Sequence, residues 1–280
     1  MEIVLLPFSL AFLISLYAGI YDLRTTEIPE DAPFLLVSLG LFLWFAYSLY
    51  TGDISYLLKS VSAGTMLSFI GYLLYKLGQW GDGDAALLGG IGFLLPFFPG
   101  YNFFPLCYLF LLFVVGAAYT MLYAFVVGIL DKRARRRLKL SLPDIFLKSF
   151  TISLLPACFI PVLAVCLGIS TLIGSLIEFS LLAFGVSFIL IAFCYYARVV
   201  ENTAFIKRVH VSKLKVGDVL YRSKTWRGLS EGEISALKRK KRFVLIKEGV
   251  RFGPVFPIAL LISAWLKNWL IAIFPFLLFL

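Results

Sequence analysis

Long and nearly continuous apolar runs, separated by short polar stretches, make up most of the chain. A membrane-spanning helix needs roughly 20 consecutive apolar residues. On this criterion the sequence predicts eight spans, at 3–21, 34–50, 58–76, 84–98, 104–130, 146–168, 172–197 and 254–270. The runs do not alternate between apolar and polar residues, as the strands of a transmembrane β-barrel would. The expected fold is therefore an all-α polytopic membrane protein, a bundle of about eight transmembrane helices.

One long polar stretch, 198–252, separates the last two predicted spans. It contains strand-like segments on either side of LSEGEISALKRKKR, where Ser230 and Glu233 have the spacing of a helix capping box. This pattern predicts a small α+β domain. We therefore divide the chain into a membrane core (1–130, spans 1–5), a basic loop with two further spans (131–197), the α+β domain (198–252), and a last span with an apolar tail (253–280).

The charge distribution predicts the orientation of the chain in its membrane. Only 15% of the 280 residues are charged, but the net charge is +10. With the N-terminus outside, 24 of the 26 Lys and Arg residues fall on the cytoplasmic side, as the positive-inside rule requires. The densest basic run, DKRARRRLKL at 131–140, lies beside a span. It therefore fits anionic lipid headgroups of a plasma membrane better than nucleic acid.

Cysteine and histidine give no sign of a metal site. The four cysteines, Cys107, Cys158, Cys166 and Cys194, lie in or beside apolar runs and form no C-x-x-C pair. The single histidine, His210, has no acidic or cysteine neighbour in the sequence. We therefore expect small apolar packing residues and a solvated histidine, with no metal and no cofactor.

Carboxylates at the membrane are the strongest chemical signal, because such groups are costly there and are usually functional. Asp22 ends the first predicted span, Asp82 and Asp84 begin the fourth, and Glu178 lies in the seventh. The order of the spans places Asp22 and Asp84 on the same, cytoplasmic, face of the membrane. Two carboxylates in such a site share one proton, which lets the pair activate water for attack on a peptide carbonyl.

The glycines around these aspartates fit such a reaction. Gly81 and Gly83 remove side chains where an extended substrate would approach, and they allow positive φ. A simpler interpretation is that GDGD is only a helix N-terminus, with Asp82 or Asp84 as its cap.

These residues resemble the motifs of a known group of enzymes. Residues 81–84 are similar to the G-x-G-D motif of intramembrane aspartyl proteases. Asp22, followed by Ile28-Pro29, is similar to the first aspartate of the archaeal preflagellin and type IV prepilin peptidases, and KEGVRFGPVFPIALL is similar to their C-terminal part. The resemblance implies that Asp22 and Asp84 are catalytic and that Asp82 is not. It also implies a six-span plan, to which spans 6 and 7 are an addition.

The resemblance further implies the substrate: precursors of type IV pilins or archaellins, whose short basic leader precedes a hydrophobic helix. On this basis Glu27, Glu30 and Asp31 are candidates to bind the leader's Lys and Arg residues, the alternative being a solvated acidic loop. The paired C-x-x-C module of many bacterial prepilin peptidases is absent from the sequence, so methyltransferase activity is not predicted.

Two other classes of protein remain open. The presenilin and signal-peptide-peptidase branch shares G-x-G-D, but it has its aspartates on consecutive spans and carries a P-A-L motif, neither of which occurs here. An ion- or proton-coupled transporter could use Asp22, Asp84 and Glu178. Transporters often contain two similar halves, and no second half repeats GDGD.

Overall fold

The structure is a computed structural model that describes residues 2–98, 104–166, 173–215, 217–221, 228–240, 242–247 and 249–266. Its helices are α1 (Glu2–Thr25), α2 (Asp31–Thr51), α3 (Ser55–Lys76), α4 (Asp82–Leu94), α5 (Phe104–Leu130), α6 (Lys132–Cys166), α7 (Ile173–Glu201), α8 (Glu231–Lys240) and α9 (Val255–Trp265). The described residues also form three strands, β1 (Ile206–His210), β2 (Val219–Leu220) and β3 (Phe243–Lys247), and a 3₁₀ helix at Val211–Lys213.

The predicted fold class is confirmed: the chain is a polytopic helical membrane protein with a small sheet-containing part. Within the described ranges, six helices are long and apolar enough to cross a membrane, namely α1, α2, α3, α5, α6 and α7. The other two predicted spans are helical as well, but α4 has 13 residues and the described part of α9 has 11. Helix α4 is therefore shorter than the roughly 20 residues that a bilayer crossing needs.

The basic run at 131–140, which the sequence suggested to be a loop, is helical from Lys132 onward. Asp131 caps this helix: its Oδ1 accepts hydrogen bonds from the backbone N–H groups of Arg133 at 2.7 Å and Ala134 at 2.9 Å. These bonds satisfy N–H groups that have no partner within the first helical turn. The backbone hydrogen bonds from Ala134, and then from Arg133 with its charge, hold the pKa of Asp131 below its usual range.

The described residues form two compact units. The first comprises the N-terminal part up to Thr120 and the residues from Gly249 onward, and the second comprises the residues between Met121 and Glu248. In the first unit the short helix α4 packs against α2 and α3. A Cβ atom at Gly40 would lie 2.6 Å from the Phe93 carbonyl, and one at Gly71 would lie 2.7 Å from the Ala85 carbonyl oxygen. Glycine at these positions therefore lets the helix backbones touch.

The C-terminal end of α4 is tied to its neighbours by hydrogen bonds. The buried indole of Trp44 donates to the carbonyl oxygen of Leu94 at 3.1 Å, and the Ser60 hydroxyl donates to that of Phe93 at 2.6 Å. A helix that ends at membrane depth must satisfy its last carbonyl groups within the protein. Side chains from α2 and α3 do this, and they thereby fix the position of α4.

In the second unit, α6 and α7 pack along each other, and a separate apolar cluster underlies the sheet. The strand order is β1-β3-β2, and both pairings are antiparallel, with Val209 opposite Val244 and Val219 opposite Lys247. The predicted capping box of α8 is present, since Glu233 Oε2 accepts from the Ser230 backbone N–H at 2.9 Å. This unit contains the predicted small α+β part.

Candidate active site

Asp22 lies in the last turn of α1 and is 5% exposed. It is the only charged residue among the buried ones that the structure describes. Its Oδ2 accepts a hydrogen bond of 2.8 Å from the backbone N–H of Gly253, which lies 231 positions later in the sequence. Asp22 is therefore largely removed from bulk solvent and held by a contact from a distant part of the chain.

Asp84 lies in the first turn of α4 and is partly buried. Its Oδ2 accepts a hydrogen bond of 3.3 Å from the backbone N–H of Gly81, the residue that precedes the helix. Asp82 is exposed, and its Oδ1 accepts from the N–H of the adjacent Gly83 at 2.9 Å. Each aspartate therefore accepts one hydrogen bond from a backbone N–H at the start of α4. Of the two, only Asp84 is partly buried.

The structure brings Asp22 and Asp84 together. Helices α1 and α4 contact each other, and the two carboxylates lie within electrostatic range of each other. A second contact joins the same two segments, because a Cβ atom at Gly83 would lie 2.8 Å from the Cβ atom of Ile28 in the α1–α2 connection. The two aspartates that the sequence singled out are thus held at one site by packing on both sides.

The sequence-based explanation for the glycines needs correction. Positive φ occurs at Gly52, Gly78 and Gly217 among the described glycines, and neither Gly81 nor Gly83 has it. Gly83 is required instead by its close approach to Ile28. Gly81 is exposed and has the extended backbone of a residue before a helix, with φ of −71° and ψ of 162°. A Cβ atom at Gly81 would lie 3.2 Å from Asp84 Oδ2 and meet no other atom within 4 Å, and the role of the two glycines in substrate approach stays a prediction.

The three loop acids are all exposed. Glu27 and Glu30 lie in the connection between α1 and α2, and Asp31 begins α2. The Tyr17 hydroxyl donates a hydrogen bond of 3.3 Å to Asp31 Oδ2. This exposed acidic loop directly follows the helix that carries Asp22, so its charges are accessible beside the aspartate pair.

Residues just before α9 also line the site; the sequence analysis matched this segment to the C-terminal part of the family but did not assign it to the site. A Cβ atom at Gly253 would lie 2.8 Å from the Asp22 Cβ, and one at Gly19 would lie 3.0 Å from the Pro254 Cα. The guanidinium of Arg251 donates to the Leu23 carbonyl oxygen at 2.6 Å. An arginine and a Gly-Pro pair directly before an apolar run were the available signal, but only the tertiary structure shows what they contact.

Aromatic rings link this segment to the G-x-G-D residues. The ring centroid of Trp80, which directly precedes Gly81, lies 5.5 Å from that of Phe252, 5.9 Å from that of Phe256 and 5.9 Å from that of Phe113. Rings at these separations attract each other beyond the area they bury. The start of α4 is thereby packed against α5 and the start of α9.

Most of the other candidate residues belong to the second compact unit. Glu178 is exposed on α7, and His210 is exposed with its Nδ1 2.7 Å from the Ser212 hydroxyl. Cys107 is buried, Cys158 and Cys194 are exposed, and the side chain of Cys166 lies outside the described residues. Within the part of the chain that the structure describes, no three His, Cys, Asp or Glu side chains group as metal ligands would.

The described residues form a multi-pass helical membrane protein in which two aspartates lie together at the ends of α1 and α4. Comparison with known proteins indicates which family of membrane proteins this arrangement resembles. Residues 9–130 match the type IV leader peptidase family. The matched region contains Asp22, the loop acids and the whole G-x-G-D motif. The resemblance to the archaeal preflagellin and prepilin peptidase family that the motifs predicted is thereby confirmed over this region.

Two curated proteins are similar to part of the chain. The preflagellin peptidase of Methanocaldococcus jannaschii is 33% identical over 81 residues, which are 29% of this chain and 34% of that protein. Prepilin peptidase EppA of Methanothermobacter thermautotrophicus is 31% identical over 99 residues, or 35% of this chain and 26% of that protein. The similarity thus spans only about a third of the first relative and about a quarter of the second. No solved structure matches the chain.

Proposed function

We propose that this protein is a membrane-embedded aspartic endopeptidase that removes short basic leader peptides from prepilin- and preflagellin-type precursors at the cytoplasmic face. The observation that carries the proposal is the pairing of buried Asp22 with Asp84 at the ends of α1 and α4. The similarity of residues 9–130 to type IV leader peptidases supports the substrate class.

In the proposed reaction the pair holds one proton between its two carboxyl groups. The ionised carboxylate takes a proton from a water molecule as the water oxygen bonds to the scissile carbonyl carbon. The protonated carboxyl gives its proton to the carbonyl oxygen, which produces a neutral tetrahedral intermediate. The proton taken from water then passes to the leaving nitrogen as the C–N bond breaks, and the other proton returns to its carboxyl group.

The location of the reaction follows from the charge distribution. Placing the N-terminus outside puts Asp22 and Asp84 at the cytoplasmic side, together with most Lys and Arg residues of the chain. The basic helical run at the start of α6 then lies beside anionic headgroups, where each basic residue contributes about 1 kcal/mol of attraction. The plasma membrane and its lipids are the proposed environment.

The exposed acids Glu27, Glu30 and Asp31 are proposed to attract the basic leader. They lie five to nine positions after Asp22 in the sequence and are exposed. Reversing all three charges to Lys should raise KM for a basic leader at least tenfold and leave kcat within about twofold, since a rim charge mainly affects encounter. An unchanged KM would remove this part of the proposal.

The proposal is tested by co-expressing the chain with a tagged type IV pilin or archaellin precursor and blotting for loss of the leader. Wild type and Asp82→Asn are expected to cleave, because Asp82 is exposed and does not face the interior. Asp22→Asn and Asp84→Asn are expected to leave the precursor intact, because neither can take up or release the necessary proton.

Each variant must first be shown to be present in the membrane at the wild-type level. If all four proteins leave several precursors intact while folded in the membrane, the peptidase proposal is wrong. Ion flux through reconstituted vesicles would then be measured, as the transporter alternative requires.

A further inference from the structure

The two aspartates have unlike surroundings. Asp22 accepts the Gly253 N–H at 2.8 Å and lies within electrostatic range of Arg251. Asp84 also accepts a backbone N–H, from Gly81, but at the longer distance of 3.3 Å, and its charged neighbours are the carboxylates of Asp22 and Asp82. A hydrogen-bond donor and a cation favour the ionised form of a carboxyl group, whereas neighbouring carboxylates favour its protonated form.

We infer that the segment 251–254 before α9 is the part of the catalytic site that assigns the two roles: Arg251 and the Gly253 N–H hold Asp22 in place as the ionised carboxylate, and the shared proton rests on Asp84. This inference rests on the proposed function for its chemical meaning. On this inference Arg251 is a positioning residue. The segment 251–254 then contributes to a site whose two aspartates lie within the first 84 residues of the chain.

The geometry supports two actions for Arg251. Its Nη1 donates to the Leu23 carbonyl oxygen at 2.6 Å, one residue after Asp22 in the last turn of α1. Carbonyl groups at a helix C-terminus have no partner within the helix, so a guanidinium is a favourable cap there. The same contact keeps a positive charge close to the Asp22 carboxylate.

The position of the Gly253 N–H is equally constrained. Gly253 is buried, and its Cα position allows no side chain because a Cβ atom would lie 2.8 Å from the Asp22 Cβ. Gly19, one turn before Asp22 on α1, also allows this close approach, because a Cβ atom added there would lie 3.1 Å from the Gly253 carbonyl oxygen. Two glycines thus let the two backbones approach until the N–H reaches the carboxylate.

The charged groups acting on Asp22 are therefore Arg251 from the segment before α9 and Asp84 from α4. In the resting state Asp22 is the member that accepts the proton of water, and Asp84 is the member that protonates the substrate carbonyl. The two exchange these states as the leaving amine departs, so each turnover regenerates the starting arrangement.

The experiment uses the full chain in lipid vesicles and compares Arg251→Gln, Arg251→Lys and Arg24→Gln. Arg24 is exposed on the same turn of α1, so the third variant removes the same charge without removing the contact to Leu23. The first measurement does not depend on cleavage: a hydrophobic carbodiimide, which reacts with protonated carboxyl groups, labels the protein across a pH series, and mass spectrometry quantifies the label on Asp22.

Arg251→Gln should move the midpoint of Asp22 labelling upward by about half to one pH unit, since Arg251 is partly exposed and its charge is partly screened. Arg251→Lys and Arg24→Gln should stay close to wild type. In cleavage assays Arg251→Gln should lower kcat about tenfold, with the acidic limb of the pH profile moved in the same direction and KM unchanged.

The outcomes separate this inference from the proposed function. Equal labelling of Arg251→Gln and wild type, or an equal shift in Arg24→Gln, overturns the inference even if the wild type cleaves precursors. The expected shift in a protein that cleaves no precursor leaves the assignment of Asp22 standing and refutes the peptidase. If Arg251→Gln does not fold, Arg251→Lys still decides, because a large shift despite the retained charge contradicts the electrostatic argument.

Discussion

Replacing Gly83 by Ala tests the packing that sets the distance between the two aspartates. The new Cβ atom would lie 2.8 Å from the Cβ atom of Ile28, and an ordinary carbon–carbon contact is about 3.5–4.0 Å. The first turn of α4 must therefore move away from the α1–α2 connection by about 0.7 Å. Rotation of the Ile28 side chain cannot relieve the clash, because Cβ is fixed to the backbone.

The expected effect is larger on activity than on stability. Overpacking costs about 1–3 kcal/mol, and the better helix propensity of Ala offsets about 0.5–1 kcal/mol of this. A displacement of about 1 Å between reacting groups can cost about 100-fold in rate, so we expect kcat/KM to fall about 10- to 100-fold. Cleavage of a reconstituted precursor and unfolding by SDS titration measure the two quantities.

Two further glycine variants serve as comparisons. Gly185→Ala in α7 adds a Cβ where nothing lies within 4 Å, so it should leave both quantities near wild type. Gly81→Ala should lose less activity than Gly83→Ala, because its Cβ would meet only the Asp84 Oδ2, at 3.2 Å. If Gly81→Ala is inactive while Gly83→Ala keeps wild-type kcat/KM, the reasoning from packing is refuted.

Three other predictions follow from the same structure. Gly40→Ala should lower the free energy of unfolding by about 1–3 kcal/mol in SDS titration, because its Cβ would lie 2.6 Å from the Phe93 carbonyl of α4, and an unchanged value would contradict the packing of α2 on α4. Asp131→Ala should cost about 1 kcal/mol at neutral pH. Since hydrogen bonds to Ala134 and Arg133 depress the pKa of Asp131, the wild-type advantage should persist above the unfolded-state pKa and disappear as the pH falls through the folded-state pKa, and an advantage that grows on acidification would refute the cap. The pH profile of kcat/KM should be bell-shaped, because the aspartate pair works only with one proton, and a profile flat from pH 3 to 9 would contradict this.

How much the sequence predicts depends on the range of the interaction involved. Hydropathy runs and the Ser230–Glu233 spacing are local, and they predicted the helices and the α8 capping box that the structure contains. The short fourth span was also visible in the sequence, as the predicted run 84–98. Its tertiary support was not predictable in this way, because Trp44 and Ser60 satisfy the last carbonyl groups of α4 from two other helices.

The same difference between local patterns and long-range contacts applies to the candidate site. Costly carboxylates in apolar surroundings can be recognised in a sequence, and the structure brings Asp22 and Asp84 together. The prediction of positive φ at Gly83 was wrong, while its predicted place beside the substrate stays a prediction. Its contact with Ile28 exists only after α4 packs against the α1–α2 connection. The contact between Asp22 and Gly253 joins residues 231 positions apart, and no local pattern encodes such a contact.

The central claim is that Asp22 and Asp84 together perform the hydrolysis. It is tested most directly by the kcat/KM of purified protein in lipid vesicles acting on a tagged type IV pilin or archaellin precursor. We predict that Asp22→Asn and Asp84→Asn each lower kcat/KM by at least about 1,000-fold, within the range lost with a general acid or base, while Asp82→Asn stays within about threefold of wild type. Retention of cleavage by either of the first two variants, with product of the correct mass, would contradict the account.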